Sequence, residues 1–164
     1  MGKLNKLEQF NFMPDAEQTA RNNRNLSEMF SGALTDYQYL PLSEIIFNAQ
    51  RYDENAAVLK TKMEEIAAYA KIPAAHTDKV IRMARFSAAV EDWLAANECD
   101  AAAIQCWDSL EMNYGCAACT TMSMLGEKLI PCACETDIAG AVSMYALALA
   151  AGKPSTLLDW NNNF

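Results

Sequence analysis

The stretch Ile130-Pro-Cys-Ala-Cys-Glu-Thr-Asp-Ile-Ala-Gly-Ala-Val-Ser-Met-Tyr-Ala-Leu-Ala-Leu-Ala-Ala-Gly152 decides the fold. It opens with a short, nearly apolar run without polar alternation, as in a strand covered on both faces. Asp137 is suited to cap a helix, because its short carboxylate can accept from the unpaired N–H groups of a first turn. The Ala-rich run that follows is stopped by Gly152 and Pro154. The stretch therefore predicts a strand, then a helix from Asp137 to about Ala151. Glu135 falls at the junction, where an acid at an apolar strand end is costly unless it has a partner.

Two similar runs lie on either side: Asp100-Ala-Ala-Ala-Ile-Gln-Cys-Trp107 upstream and Ser155-Thr-Leu-Leu-Asp-Trp160 downstream. A turn containing Gly115 leads to a helix around Cys116 to Leu125. Strand, helix, strand, helix, strand is the pattern of a parallel sheet with crossovers. The expected fold is α/β: a three-layer, Rossmann-like open parallel sheet flanked by helices, with a helical N-terminal portion.

In that portion, Glu44 to about Lys71 is helical by pattern, with Ile45, Ile46, Ala49, Tyr52, Ala56, Leu59, Met63, Ile66 and Tyr69 at helical spacing. Ser43 opens it, Glu44 lies in its first turn, Asp53-Glu-Asn55 divides it in two, and Pro73 ends it. Thr77 or Asp78 caps a second long helix through about Asn97, with Val80, Ile81, Ala84, Phe86, Ala88, Val90 and Leu94 inward. Farther upstream, Tyr37 to Leu42 reads as a strand and Asn22 to Ser31 as a short helix stopped by Gly32. Residues 1–20 read as an irregular lead-in or arm, and 21–164 as the α/β domain. No solenoid-length repeat and no dividing linker is present.

The 164 residues suffice for one domain with a core. A net charge of -8 and a sequence pI of about 4.6 argue against nucleic acid, which needs clustered Lys and Arg, and against anionic membranes. No apolar run approaches the ~18 residues of a membrane helix. Met1-Gly-Lys-Leu-Asn-Lys6 is not followed by an apolar signal region. The expectation is a soluble, cytoplasmic protein with reduced thiols.

In an open parallel sheet, ligands bind outside the carboxyl ends of the strands. The three runs end at Gln105 and Trp107, with Asp108 beyond; at Glu135, with Asp137 beyond; and at Asp159, with Trp160 beyond. Glu135 and Asp159 can converge on one crevice, sharing a hard divalent cation through oxygen or acting as acid and base. Plainer roles compete: Asp137 as a helix cap, Asp159 as a turn residue with Asn161, and the two tryptophans as packing. No GxGxxG or GxxxxGK[ST] loop is present. The single histidine, His76, reads as a solvated loop residue with no nucleophile motif beside it.

Six cysteines are present: Cys99, Cys106, Cys116, Cys119, Cys132 and Cys134. Cys116-x-x-Cys119 with Cys132-x-Cys134 has a spacing that can hold zinc, and CxxC at a helix start also suits a redox pair. The preferred reading is core packing, with no disulfide and no zinc.

Ile104-Gln-Cys-Trp107, Cys119-Thr-Thr-Met-Ser-Met-Leu125, Ile130-Pro-Cys-Ala-Cys-Glu-Thr-Asp-Ile-Ala-Gly-Ala141, Ser143-Met-Tyr-Ala-Leu147 and Leu158-Asp-Trp-Asn-Asn162 resemble the L-fucose/L-arabinose isomerase family, particularly its L-fucose isomerase-like members. Thr19-Ala-Arg21 and Leu40-Pro-Leu-Ser-Glu-Ile45 are weaker matches to the middle domain of the same enzymes. The resemblance implies a ketol isomerase that interconverts an aldose and a ketose through an ene-diol. It implies a divalent metal, usually Mn²⁺, held by Glu135, Asp159 and a distant histidine from a further domain. It implies that Glu135 and Asp159 also serve catalysis and that Gln105 and Trp107 contact the sugar. The family continues past the position of Asp159, and His76 is misplaced for the ligand role. The chain is therefore expected to be a truncated middle domain, inactive alone, whose partners are a monosaccharide and the remaining domains, and homo-oligomeric at full length. Alternatives are a non-catalytic sugar- or metal-binding domain derived from the isomerase, and a cysteine-based zinc or redox module.

Overall fold

Proline at position 41 fixes its own φ and has no N–H to donate, so a helix can begin immediately behind it. The first helix, α1 (Leu42–Gln50), does so: Glu44 N donates to Pro41 O at 2.9 Å, and Glu44 lies in the first turn. The computed structural model describes residues 40–73, 76–106 and 109–158, all within one unit beginning at Tyr39. The expected arm, the helix at 22–31 and most of the strand at 37–42 lie outside the described residues. Leu40 and Pro41 carry no strand, and Leu42, read as strand, is already helical.

The expected break at Asp53 is real. Asp53 Oδ1 accepts from Asn55 N at 2.9 Å, a local turn that competes with helix continuation. The chain restarts as α2 (Ala57–Tyr69), which buries Leu59, Lys62 and Ile66, and Ala70 turns extended ahead of Pro73. Next comes α3 (Thr77–Ala96), with exposed His76 at the N-cap position and no side-chain cap bond. Five successive residues of α3, Phe86 to Val90, are buried. One amphipathic face cannot achieve that. The helix is covered from several sides, by α1, by α2 and by a later helix, α5 (Cys119–Glu127).

Between α3 and α5 lie a strand, β1 (Ala102–Ile104), and a short helix, α4 (Ser109–Asn113). Tyr114 fastens this turn to α3 through reciprocal bonds: Arg82 Nη1 donates to Tyr114 O at 3.2 Å, and Tyr114 Oη donates to Arg82 O at 3.1 Å. The second strand, β2 (Cys132–Cys134), pairs with β1 in parallel, with Ala102 opposite Cys132 and Ile104 opposite Cys134. The final helix is α6 (Ile138–Ala151). Asp137 caps it, accepting from Gly140 N at 2.7 Å, and Gly152 closes it at φ 60°, donating to Ala148 O at 2.8 Å. A side chain at Gly140 would collide with both the Asp137 carboxylate and Leu157.

Side-chain alternation divides the small sheet. Ala103 and Ala133 pack with Ala141 and Met144 of α6. Ala102, Ile104, Cys132 and Cys134 face the main core, which contains Phe86, Val90, Leu110 and Leu125. The architecture is thus mixed α/β and mostly helical. Among the described residues the sheet has two parallel strands, fewer than the open, three-layer Rossmann-like sheet expected. The run at Ser155, read as the third strand, has no strand at 155–158. Ser155 Oγ donates instead to Met144 O at 2.7 Å, and Leu158 is exposed. This segment lies along α6 rather than pairing with the sheet.

One buried charge ties α2 to α3. Lys62 is only 5% exposed; its ammonium donates to Glu65 at 2.6 Å and Glu91 at 2.8 Å, and Glu91 also accepts from Lys128 at 2.9 Å. Burial alone would lower the Lys62 pKa, but the two carboxylates outweigh it and raise it. Burial would raise that of Glu91, but the two ammonium groups win and lower it. Lys62→Met should cost about 2 kcal/mol, less than a fully buried pair because Glu91 keeps Lys128. The Glu91 contribution is present above its ordinary value of 4.5 and is lost as pH falls through the lowered folded pKa. The Lys62 contribution is complete below 10.5 and is lost as pH rises through the raised one. Urea denaturation from acid to alkaline pH should therefore show a smaller loss at both extremes in Lys62→Met than in the unsubstituted chain.

Candidate functional site

Parallel pairing places the carboxyl ends of β1 and β2 at the same edge of the sheet. Ile104 pairs with Cys134, so the next residues, Gln105 and Glu135, both leave the sheet at that edge. Both are half-buried. Glu135 and Thr136 then form the tight turn into α6, closed by Asp137 N donating to Cys134 O at 3.0 Å. Their φ values are 57° and 54°. Two successive left-handed residues, neither of them glycine and one β-branched, cost roughly 1–3 kcal/mol each. The turn is held by Thr136 Oγ1 donating to Glu135 O at 2.6 Å and by Ile138 N donating to Thr136 O at 2.9 Å. Strain of this kind concentrates at functional sites.

Around Glu135 the structure gathers two thiols. Cys106 and Cys134 both donate to Glu135 Oε1, at 3.6 and 3.7 Å, and their sulfurs are in direct contact. A disulfide would require about 2.05 Å; both cysteines are free thiols. Burial, then the Cys134 thiol and the charge of Glu135, pushes the Cys106 pKa far up. Burial also leads the rise at Cys134. Among the described residues, no Lys or Arg forms an ion pair with Glu135.

The other cysteines do not join this group. Among the described residues, the one group of three or more ligand atoms within 4.8 Å of one another is that of Cys106, Cys134 and Glu135. The set suggested by local spacing, Cys116 and Cys119 with Cys132 and Cys134, is not assembled. Cys132 and Cys134 do share one face of the strand, but Cys132 is sunk in the core and pushed up to about 12 by burial. Burial likewise pushes Cys116 up to about 11, the opposite of the lowered pKa a reactive CxxC pair uses. Cys106 is the member that sequence reasoning missed.

Trp107, Asp108, Asp159 and Trp160 lie outside the described residues. The approach to Asp159 is described. Ser155 contacts the middle of α6 at Met144, and Leu157 lies against Gly140 in its first turn. The chain therefore runs back along α6 toward the end where Asp137 and Glu135 stand. A surface cavity of about 490 Å³, lined by Ala67, Ala70, Lys71, Ile72 and Pro73, includes none of the site residues. Among the described residues, no helix is long and apolar enough to cross a membrane.

No family model matches the chain. No solved structure matches it. Curated proteins named sulfoquinovose isomerase do. The one from Alkalicoccus urumqiensis is 42% identical over 81 residues, 49% of this chain and 18% of that protein. The one from Clostridium sp. (strain MSTE9) is 31% identical over 118 residues, 71% of this chain and 26% of that protein. The one from Priestia aryabhattai is 35% identical over 75 residues, 46% of this chain and 17% of that protein. The chain thus spans 17–26% of the length of these relatives. The similarity supports an isomerase kinship; the relatives are not named for L-fucose or L-arabinose.

Proposed function

We propose that this chain is a segment of a metal-dependent aldose–ketose isomerase, in which Glu135 and Asp159 hold a divalent cation. Mn²⁺ or another divalent ion would fill that place. The observation that carries the reading is Glu135 itself: a half-buried carboxylate, free of Lys or Arg ion pairs among the described residues, on a strained turn at the carboxyl end of a parallel strand. Such a donor suits a divalent cation. The return of 155–158 along α6, ending at the residue before Asp159, supports the second ligand.

When bound, the cation would polarise the sugar carbonyl and stabilise charge on adjacent sugar oxygens. The residues of the chain would do the rest. Interconversion through an ene-diol moves a proton between neighbouring carbons, and the carboxylates of Glu135 and Asp159 are the groups able to carry it. Gln105, beside Glu135 at the sheet edge, would hydrogen-bond sugar hydroxyls, and Trp107 would pack on the ring. The relatives' names favour sulfoquinovose over L-fucose or arabinose as the substrate. The proposed partners are the remaining domains of the same enzyme, in a homo-oligomer.

The test is aldose–ketose conversion by the complete protein that contains this segment, with Mn²⁺, on sulfoquinovose, L-fucose, D-arabinose and L-arabinose. Conversion of sulfoquinovose that stops with chelator and returns with Mn²⁺ is expected. No conversion of any of these sugars would reject the isomerase reading. The 164-residue chain alone should show no turnover, because two carboxylates supply only part of a cation's shell.

A further inference from the structure

The donors grouped at the sheet edge are not those a hard cation prefers. Two are sulfurs and one is a carboxylate oxygen. Soft thiolates select zinc-like ions, whereas Mn²⁺ prefers oxygen throughout. Tetrahedral zinc binds sulfur at about 2.3 Å and carboxylate oxygen at about 2.1 Å, which places S and O about 3.6 Å apart. The two S···O separations here are 3.6 and 3.7 Å. The same geometry needs the sulfurs about 3.8 Å apart. Here the two sulfurs are in direct contact, so one thiol must turn outward to admit the ion. Cys134 sits at the end of β2 and Cys106 just beyond β1, so strand pairing itself brings the thiols together.

We infer that Cys106, Cys134 and Glu135 form a binding site for a thiophilic divalent cation of the zinc type, with a fourth position left for water or another donor. Binding releases both thiol protons to solvent and forms two metal–thiolate bonds and one metal–carboxylate bond. The site does not depend on the isomerase reading. It shares Glu135 with the cation proposed there, so zinc at the thiols competes for that ligand.

Cobalt(II) is a spectroscopic stand-in for zinc. Titrated with Co²⁺ under a phosphine reductant, the 164-residue chain should develop a thiolate-to-cobalt charge-transfer band that Zn²⁺ abolishes. Cys106→Ala and Cys134→Ala should each weaken binding by more than about tenfold, since loss of even an outer-shell partner costs that much. Cys99→Ala should leave the band unchanged, because the Cys99 thiol is engaged elsewhere, with Asn97 O at 3.7 Å. No band, or an unchanged band in both site variants, overturns the site. Cys106 is buried in the core, so a measurement without substitution is also needed. X-ray absorption on the zinc-loaded chain should show two sulfurs at about 2.3 Å with oxygen at about 2.1 Å. A shell of oxygen and nitrogen alone overturns it. Neither readout involves sugar turnover, so the isomerase reading can fail while this one stands.

Discussion

Glu135→Gln in the complete protein is expected to lower kcat/KM for aldose–ketose conversion by more than about 100-fold, at least the upper cost of losing an outer-shell partner of a metal ligand. The substitution preserves shape and leaves the left-handed turn in place, but replaces an anionic donor with a neutral amide. Far-UV circular dichroism should be unchanged. Asp159→Asn should cost as much, since each carboxylate is proposed both to bind the cation and to move a proton. The two substitutions combined should cost little more than either alone, because residues that act as a unit are strongly non-additive. Near-normal turnover in Glu135→Gln, measured at saturating Mn²⁺, would remove Glu135 from the site.

Phe86→Ala should destabilise the chain by about 4 kcal/mol, the range for truncating a fully buried aromatic. Phe86 is 0% exposed, in the part of α3 that is buried on successive residues, and its ring lies 6.4 Å from that of Tyr114. The loss therefore includes the contact that joins α3 to the connection between the strands. Phe47, 59% exposed on α1, provides the control: Phe47→Ala should change stability by about 0.5 kcal/mol or less. Chemical denaturation followed by circular dichroism separates the two. Similar midpoints for both variants would show that the core is not centred on α3.

Where local chemistry punctuates the chain, the fold was legible. Asp137, Gly152 and Pro154 bound α6, and the Asp53 turn divides α1 from α2. The unalternating runs at 102–104 and 132–134 are the two strands among the described residues. The run at 155–158 has the same composition, but strand formation needs a neighbour to pair with, which composition does not encode. Here Ser155 finds a carbonyl of α6 and Leu157 packs over Gly140. Helix α4 spans five residues, too few for periodicity to register. The inward face of α3 was read correctly at Val80, Ala84, Phe86, Ala88, Val90 and Leu94, while Ile81 is half-buried. Ser87 and Ala89 were missed because the helix is covered from more than one side. The buried Ser87 hydroxyl is satisfied by Thr121, with Oγ 2.6 Å from Oγ1.

The site divides in the same way. Glu135 stood out because a carboxylate at an apolar strand end demands a partner. Its thiol neighbours did not, because Cys106 lies 28 residues from Cys134 and meets it only through strand pairing. Local spacing pointed to Cys116 and Cys119 instead, and burial holds Cys116 as a protonated core thiol at neutral pH.

The central claim is that Glu135 and Asp159 share one divalent cation at the carboxyl end of the sheet. Anomalous X-ray diffraction at the manganese edge, on crystals of the chain grown with Mn²⁺, tests it most directly. The account predicts a single manganese peak about 2 Å from a carboxylate oxygen of each residue. Carboxylates on opposite faces of the sheet, or more than about 10 Å apart, cannot share one ion through bonds of that length and would contradict it.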